Sequence, residues 1–350
     1  MKASYFKHIL KFKTPSGTSR GILTSKESWF IIIKTKSSFG IGECSLIPEL
    51  SPDPISSFET KLKEVCKKIH LGFDKLSKDL IKFPAISFGL ETAFRSLNSE
   101  SPFIFSNSNL TTGQNGIPIN GLIWMGSHSF MKKQISDKIR KGFSCLKIKI
   151  GSLNFTEECD LLKFIRSEYS EYDLELRLDA NGSFSKESAL KKLSKLSKFN
   201  IHSIEQPIQV NQWDEMASLC EKSPISIALD EELIGAYSVA DQDKMLNNIK
   251  PDYIVLKPSL IGGIQNSESW IQSAKNLGIN FWVTSALESN IGLNAISQWS
   301  YKNSSFLHQG LGTGEIYSNN IDSPYYIQNG VLKYNPNDSW DKNFFTNYLT

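Results

Sequence analysis

The chain has 350 residues, of which 40% are hydrophobic and 21% charged, and a formal net charge of +3. That length exceeds one average domain and suits a large α/β domain joined to a smaller one. Lysines and acids are spread throughout, so no nucleic-acid partner is expected, and the longest apolar run, 29–33, is far too short to span a membrane. Five cysteines (Cys44, Cys66, Cys145, Cys159, Cys220) are odd in number and lack pairing or zinc spacing. With no apolar leader segment in view, they predict reduced thiols in a cytoplasmic protein. Oligomeric state is left open.

Residues 1 to about 43 read as an antiparallel sheet. Strands are predicted over 4–12 and 28–34, with a third at Gly40-Ile41-Gly42-Glu43 after a turn at Ser37-Ser38. The polar stretch 14–21, with Pro15 and Gly17, reads as a loop. Pro52-Asp53-Pro54 opens a helix whose apolar positions Ile55, Phe58, Leu62, Val65 and Ile69 recur every three or four residues. A second helix is predicted over about 85–97. From Gly116 the pattern changes to strand and helix in alternation. Strands are predicted at 117–122, 145–150, 174–179, 201–205, 225–230, 253–257, 280–285 and 306–310. Helices fit between them, one around 129–141, one capped by Thr156, and one with Leu190, Leu193 and Leu196 on a face. Strand ends recur roughly every 25–30 residues, the length of one βα unit, and eight such units favour a (β/α) barrel over a doubly wound sheet. The last unit lacks its helix. Gln328-Asn329-Gly330-Val331 carries a hairpin signal. The expected organisation is α/β: an α+β capping domain over 1–112, a (β/α)7β TIM-like barrel over 113–313, and a C-terminal segment over 314–350 that returns to the cap.

Functional groups of such a barrel stand at the C-terminal ends of its strands. Here those ends carry Lys147 and Lys149, then Asp179, Glu205, Asp230, Lys257 and Ser285. Lys147 and Lys149 are two apart on one strand, so they share a face. Like charges so placed are kept near anions, or where a lysine must deprotonate readily. Carboxylates on three consecutive strands converge at the barrel mouth and raise one another's pKa unless a cation is present. Three hard oxygen donors, with sites left for water or substrate, suit Mg²⁺ better than zinc or calcium. Lys257 stands on the opposite flank from Lys149. Arg177 shares the face of Asp179 and reads either as a structural ion pair or as a substrate contact. Asn181 orients a ligand or caps a helix, and Glu288 is open between site and scaffold. Gly310-Leu311-Gly312-Thr313-Gly314 presents backbone N–H groups to an anion or is a plain turn. The histidines share no spacing, and His202 reads as packing on the outward face of its strand.

Lys147-Ile148-Lys149-Ile150-Gly151, Asp179-Ala180-Asn181-Gly182, Glu205-Gln206-Pro207, Asp230-Glu231-Glu232 and Lys257-Pro258 together resemble the enolase superfamily, in its muconate-lactonizing subgroup. Gly40-Ile41-Gly42-Glu43 is similar to the capping-domain signature. Glu232 stands where the third acidic motif often ends in serine. Enzymes of that superfamily are a known example of a Lys or His base working with Mg²⁺ that stabilises an enediolate. Within the subgroup, Ser285-Ala286-Leu287-Glu288-Ser289-Asn290, Arg177-Leu178-Asp179 and the Gly-Leu-Gly-Thr-Gly run resemble the dehydratases that aromatise a succinylated cyclohexadiene carboxylate. The paired aspartates of dipeptide epimerases after the eighth strand are missing. The resemblance implies Mg²⁺ on Asp179, Glu205 and Asp230 as metal ligands, and a small carboxylate substrate. It implies Lys149 as proton carrier, Lys257 as opposing cation and Lys147 as electrostatic neighbour. Ser285, Gly310 and Gly312 would hold the second carboxylate, with Arg177 close by, and the 14–21 and 42–50 segments would close the site. Rival readings are racemisation of an N-acylamino acid, cycloisomerisation, or a non-catalytic ligand-binding barrel.

Overall fold

The computed structural model describes residues 1–18, 21–303, 307–341 and 343–345. Its N-terminal part is a three-stranded antiparallel sheet of β1 (Lys2–Thr18), β2 (Gly21–Lys34) and β3 (Phe39–Ser45) in sequential order. The helices α1 (Ile55–Lys67), α2 (Phe73–Leu76) and α3 (Pro84–Leu97) follow. Phe58, Leu62 and Val65 form the buried stripe of α1, as their spacing requires, whereas Ile55 is exposed. Pro84 opens α3 in its first turn, where a missing N–H costs nothing.

The glycines of the third strand have a packing role. Gly40 and Gly42 face α3, and a Cβ at Gly42 would stand 1.9 Å from the carbonyl oxygen of Gly89. Ile41 faces the other way, into a cluster with Phe6, Phe30, Phe103, Ile291 and Trp340 that joins cap, barrel and C-terminal segment. Gly42→Ala is expected to lower stability by about 1–3 kcal/mol, because backbone rather than a flexible side chain must move. A shift of the urea midpoint without a change of slope measures it; an unchanged midpoint refutes the packing account.

The barrel is a seven-stranded parallel sheet in sequential order. Its strands are β5 (Gly121–Ile123), β6 (Cys145–Lys149), β7 (Glu175–Asp179), β8 (Ser203–Glu205), β9 (Ser226–Leu229), β10 (Tyr253–Leu256) and β11 (Asn280–Val283). Around it lie α4 (His128–Arg140), α5 (Phe155–Glu168), α6 (Lys186–Leu196), α7 (Trp213–Lys222), α8 (Val239–Ile249), α9 (Ile264–Asn276) and α10 (Asn290–Asn303). The ring closes through two residues: Gln309 bridges Ile119 and Gly310 bridges Thr284, both in parallel sense. Among the described residues the predicted eighth strand is reduced to this pair, and its first residue, Phe306, lies outside them.

Other expectations change in detail. The stretch predicted as a loop over 14–21 instead extends β1 to Thr18, after a bulge between Lys11 and Ser16. Ser16 pairs Leu23, and Gly17 lies so close to Met125 that a Cβ would meet its carbonyl at 2.5 Å. Ser19 and Arg20 lie outside the described residues. The predicted strand 117–122 is two pieces: β4 (Ile117–Pro118) pairs with the C-terminal hairpin, and only β5 enters the barrel. Thr156 does not cap its helix. Asn154 does, in a capping box with Glu157. The hairpin of β12 (Tyr325–Gln328) and β13 (Val331–Tyr334) turns at Asn329 and Gly330, both at positive φ. Among the described residues, no helix is long and apolar enough to cross a membrane.

Candidate active site

Each acidic strand end is fixed by an abrupt turn. Asn181, two residues after Asp179, has φ 43°, and Gln206, directly after Glu205, has φ 41°. These left-handed residues take the chain off the sheet at once and leave the preceding carboxylate aimed into the mouth. Register aligns the groups: Lys149 pairs Asp179 and Asp179 pairs Glu205 across neighbouring strands.

The charges interlock. Lys147 Nζ lies 3.1 Å from Asp179 Oδ2 and 2.5 and 2.7 Å from the two Glu205 oxygens. Lys149 Nζ donates to the same Asp179 Oδ2 at 3.0 Å and to Asn181 Oδ1 at 2.7 Å. Lys257 Nζ is paired with Asp230 Oδ2 and lies 4.0 Å from Glu205. The two outer lysines thus flank the acids, and Lys147 sits among them. Asp179, Glu205 and Asp230 are buried. Burial opposes the ionised form of Asp179, but Lys147, Lys149 and Lys257 outweigh it and hold its carboxyl below the usual range. Asp230 goes the other way: burial pushes it up to about 7 against the pull of Lys257, with Glu205 adding repulsion. Burial works against charge on Lys147 and Lys257 too, and the surrounding carboxylates more than offset it, so both are held above their ordinary values. Three buried carboxylates on consecutive strand ends form the all-oxygen donor set that a hard divalent cation takes.

A cavity of about 460 Å³ opens above these groups. Lys147, Lys149, Asp179 and Lys257 line its floor, and Ser285, Gly310 and Gly312 one side. Leu122, Trp124 and Phe130 form an apolar wall, while Lys13–Ser16 of the cap and Ile47, Glu49 and Leu50 form the rim. Glu205 and Asp230 lie beneath, their oxygens taken up by Lys147 and Lys257.

Two substrate-side expectations are corrected. Arg177 does not line the cavity. It lies buried one layer deeper, bonded through Nε to Glu175 at 2.7 Å and through Nη1 to the His308 carbonyl at 2.9 Å, with its guanidinium 4.4 Å from the Trp282 ring centroid. The acid two residues earlier on its strand holds it there. Gly310 lines the cavity, but its N–H is spent on the Val283 carbonyl at 2.8 Å. Its glycine is needed for the close approach to Thr284, whose Oγ1 a Cβ would meet at 2.1 Å. Ser285 Oγ stands 2.5 Å from Thr313 Oγ1 and accepts from Leu287 N.

Several residues to which the sequence gives little or no role matter here. Glu231 lines the cavity and accepts from Asn181 Nδ2 at 2.9 Å, and burial raises its carboxyl. Gln206 accepts from the backbone of Asp230 and Glu232 while donating to Glu232, so it brackets the third acidic strand end. Glu232 also takes Trp213 Nε1 at 2.8 Å, which explains a glutamate where serine is common in the motif. Glu288 accepts from Ser259 and Ala286 N, tying the end of the sixth strand to that of the seventh. His202 turns toward the barrel floor rather than outward, with its ring 5.2 Å from that of Tyr253. Glu315 also borders the cavity, near the Lys138 charge.

Comparisons with known proteins agree with this architecture. The profile of the enolase C-terminal domain-like family matches residues 131–336. An o-succinylbenzoate synthase from Desulfotalea psychrophila is 43% identical over 95% of this chain and 98% of its own. The crystal structure of MenC from Desulfotalea psychrophila LSv54 superposes with a TM-score of 0.85 at 40% identity, covering 95% of this chain and 99% of that one. A dipeptide epimerase from Cytophaga hutchinsonii, complexed with Mg and the dipeptide D-Ala-L-Val, shares the fold with a TM-score of 0.84 at 20% identity, over 99% and 97% of the two chains. The chain belongs to the enolase C-terminal domain-like family and, at this identity and coverage, to its o-succinylbenzoate synthase branch.

Proposed function

We propose that this chain is a Mg²⁺-dependent lyase of the cytoplasm that dehydrates 2-succinyl-6-hydroxy-2,4-cyclohexadiene-1-carboxylate to 2-succinylbenzoate, a step of menaquinone biosynthesis. One observation carries the reading: Lys149 and Lys257 flank Asp179, Glu205 and Asp230 beneath a single cavity. The kinship to o-succinylbenzoate synthase supports the substrate. Five unpaired cysteines support a reducing compartment.

Asp179, Glu205 and Asp230 are the residues that would hold the ion. Bound there, Mg²⁺ supplies charge that offsets the negative charge developing on a carboxylate as its α-proton leaves. Lys149 takes that proton. Asp179 Oδ2 and Asn181 Oδ1 fix its amine at the cavity floor, with Lys147 sharing the same Asp179 oxygen. The protonated Lys149 then returns the proton to the departing hydroxyl. The C–H and C–O bonds break, the ring gains a double bond and becomes aromatic, and water leaves. Lys257 stays cationic on the opposite flank, held so by Asp230. Ser285 and Gly312 face the succinyl carboxylate, while Leu122, Trp124 and Phe130 pack on the ring. The rim residues exclude water.

The two-sided lysines also favour a second reading, racemisation of an N-succinylamino acid or epimerisation of a dipeptide, and the scaffold supports muconate-type cycloisomerisation as well. Offering the cyclohexadiene carboxylate, an N-succinylamino acid and a dipeptide side by side separates these. The first is expected to win in kcat/KM by at least about 10²-fold, a barrier difference of about 2.7 kcal/mol. Faster turnover of either amino-acid substrate overturns the dehydratase reading. Mg²⁺ binding with no α-proton exchange into any of them indicates a non-catalytic barrel.

A further inference from the structure

The floor of the barrel holds a second cluster that the proposed chemistry does not use. Glu175 lies four residues before Asp179 on β7, so the cluster is about 13 Å down the strand from the acidic mouth. Arg177 stands between the two on the same face. Around Glu175 gather Cys145, from the start of β6, and His308, from the segment that closes the ring. Cys145 Sγ is 3.2 Å from Glu175 Oε1, and His308 Nδ1 is 3.8 Å from the same oxygen. One ligand-type atom from each of the three lies within 4.8 Å of the others. Donors about a tetrahedral zinc, with Zn–S ~2.3 Å and Zn–N or Zn–O ~2.0–2.2 Å, stand roughly 3.3–3.6 Å apart, so only small movements separate this cluster from a coordination shell.

Ser144 Oγ is 3.1 Å from His308 Nε2. That contact takes up the far ring nitrogen and leaves Nδ1 to face the cluster, as outer hydrogen bonds do for metal-bound imidazoles. Arg177 Nε holds the Glu175 carboxylate at 2.7 Å. That bond falls on the same Oε1 that Cys145 and His308 face, and loss of the Cys145 S–H proton frees the second lone pair of this oxygen for an ion. The Cys145 thiol is fully buried, whereas Glu175 and His308 keep about a quarter of their side-chain surface exposed, 24% and 22%, which gives an ion a way in. A separate observation points to an absent partner: Arg177 Nη2 is buried and has no hydrogen-bond acceptor among the described residues. A water or hydroxide on the fourth position of an ion is such an acceptor.

We propose that Cys145, Glu175 and His308 form a binding site for a zinc-type divalent cation on the floor of the barrel, separate from the acidic site at its mouth. Thiolate and imidazole donors select Zn²⁺ or Co²⁺ over Mg²⁺, the reverse of the selectivity of three carboxylates. Binding converts the Cys145 S–H to a metal–sulfur bond and releases one proton to solvent. The thiolate and the Glu175 carboxylate supply two negative charges, which offset the ion despite the nearby Arg177 guanidinium. This inference is independent of which reaction the mouth performs.

The test uses the whole protein, saturated with Mg²⁺ so that the acidic site is occupied. Co²⁺ added to this sample is expected to give a thiolate-to-cobalt charge-transfer band at one equivalent. Cobalt held only by carboxylates gives none. The band should vanish in Cys145→Ser and in His308→Ala. In Ser144→Ala it should persist with affinity weakened by about 10-fold or more, since only an outer partner is lost. Should the first two variants fail to fold, alkylation mapping on the unaltered protein decides instead: Zn²⁺ is expected to slow modification of Cys145 at least tenfold while leaving Cys159 unchanged. A band that survives in Cys145→Ser overturns the proposal. So does its absence from the unaltered protein, or a Cys145 alkylation rate indifferent to zinc.

Discussion

Lys149→Ala is expected to cut kcat by about 10²–10⁴-fold while leaving the protein folded. The fold should survive because Asp179 keeps a second cation: Lys147 remains 3.1 Å from the same Oδ2. No buried carboxylate is stranded, so the penalty for an unpaired buried charge does not arise. Lys147→Ala is a poorer probe, since it removes the closest ammonium from Glu205 as well. Lys149→Arg separates charge from proton transfer. Arginine keeps the cation but cannot deprotonate, so it should be as inactive as alanine. The decisive readout is exchange of the substrate α-proton with D₂O, which both variants should lose. Near wild-type turnover in either variant, with circular dichroism unchanged, removes Lys149 as the proton carrier.

Stripping the protein of metal is expected to abolish turnover, by well over about 10²-fold given that electrophilic stabilisation is worth several kcal/mol. Mg²⁺ alone should restore it. The stripped protein should stay folded, because Lys147 and Lys257 already pair with the three carboxylates. It should melt at a lower temperature than the loaded form, since a ligand at 100-fold its Kd adds about 2.7 kcal/mol to the native state. A scan with and without Mg²⁺ therefore reports binding independently of activity. Full turnover in a sample shown to be metal-free contradicts the role assigned to Asp179, Glu205 and Asp230. A raised melting temperature without restored turnover separates a correct ion site from a wrong substrate.

The acidic mouth was legible because its chemistry lies in residue type and place together. Asp179, Glu205, Asp230 and Lys257 stand where a buried apolar run stops, and period and spacing put them on one ring. What escaped depends on contacts remote in sequence. The segment 14–18 has the composition of a loop, yet pairing with β2 and the approach to Met125 make it strand. The run 117–122 has one alternating pattern but serves two sheets, which no local signal divides. Thr156 has the composition of a cap, yet Asn154 takes that place because Glu157, three residues on, completes a capping box. Arg177 had its partner in plain view at Glu175. Its depth followed only from barrel layering and the Trp282 ring beneath the guanidinium. His308 carried no motif at all; ring closure alone brings it to Cys145 and Glu175.

The reduced eighth strand has a consequence for how the molecule forms. With no helix between Gly310 and Ile316, the chain runs straight to the cap: Lys13 N donates to the Ile316 carbonyl, Ser318 N to that of Lys11, and Lys11 N to Asn319 Oδ1 across a separation of 308 residues. The strand that carries the rim residues therefore finishes pairing only after the entire barrel has been laid down. Such pairing defers the reward for ordering until very long loops have closed. Assembly of the rim should be a late and slow event, with Phe12 and Tyr317 meeting near its end. A chain cut before Ile316 would keep every lysine and carboxylate of the mouth while losing the segment whose backbone bonds to Lys11 and Lys13 tie the rim strand down.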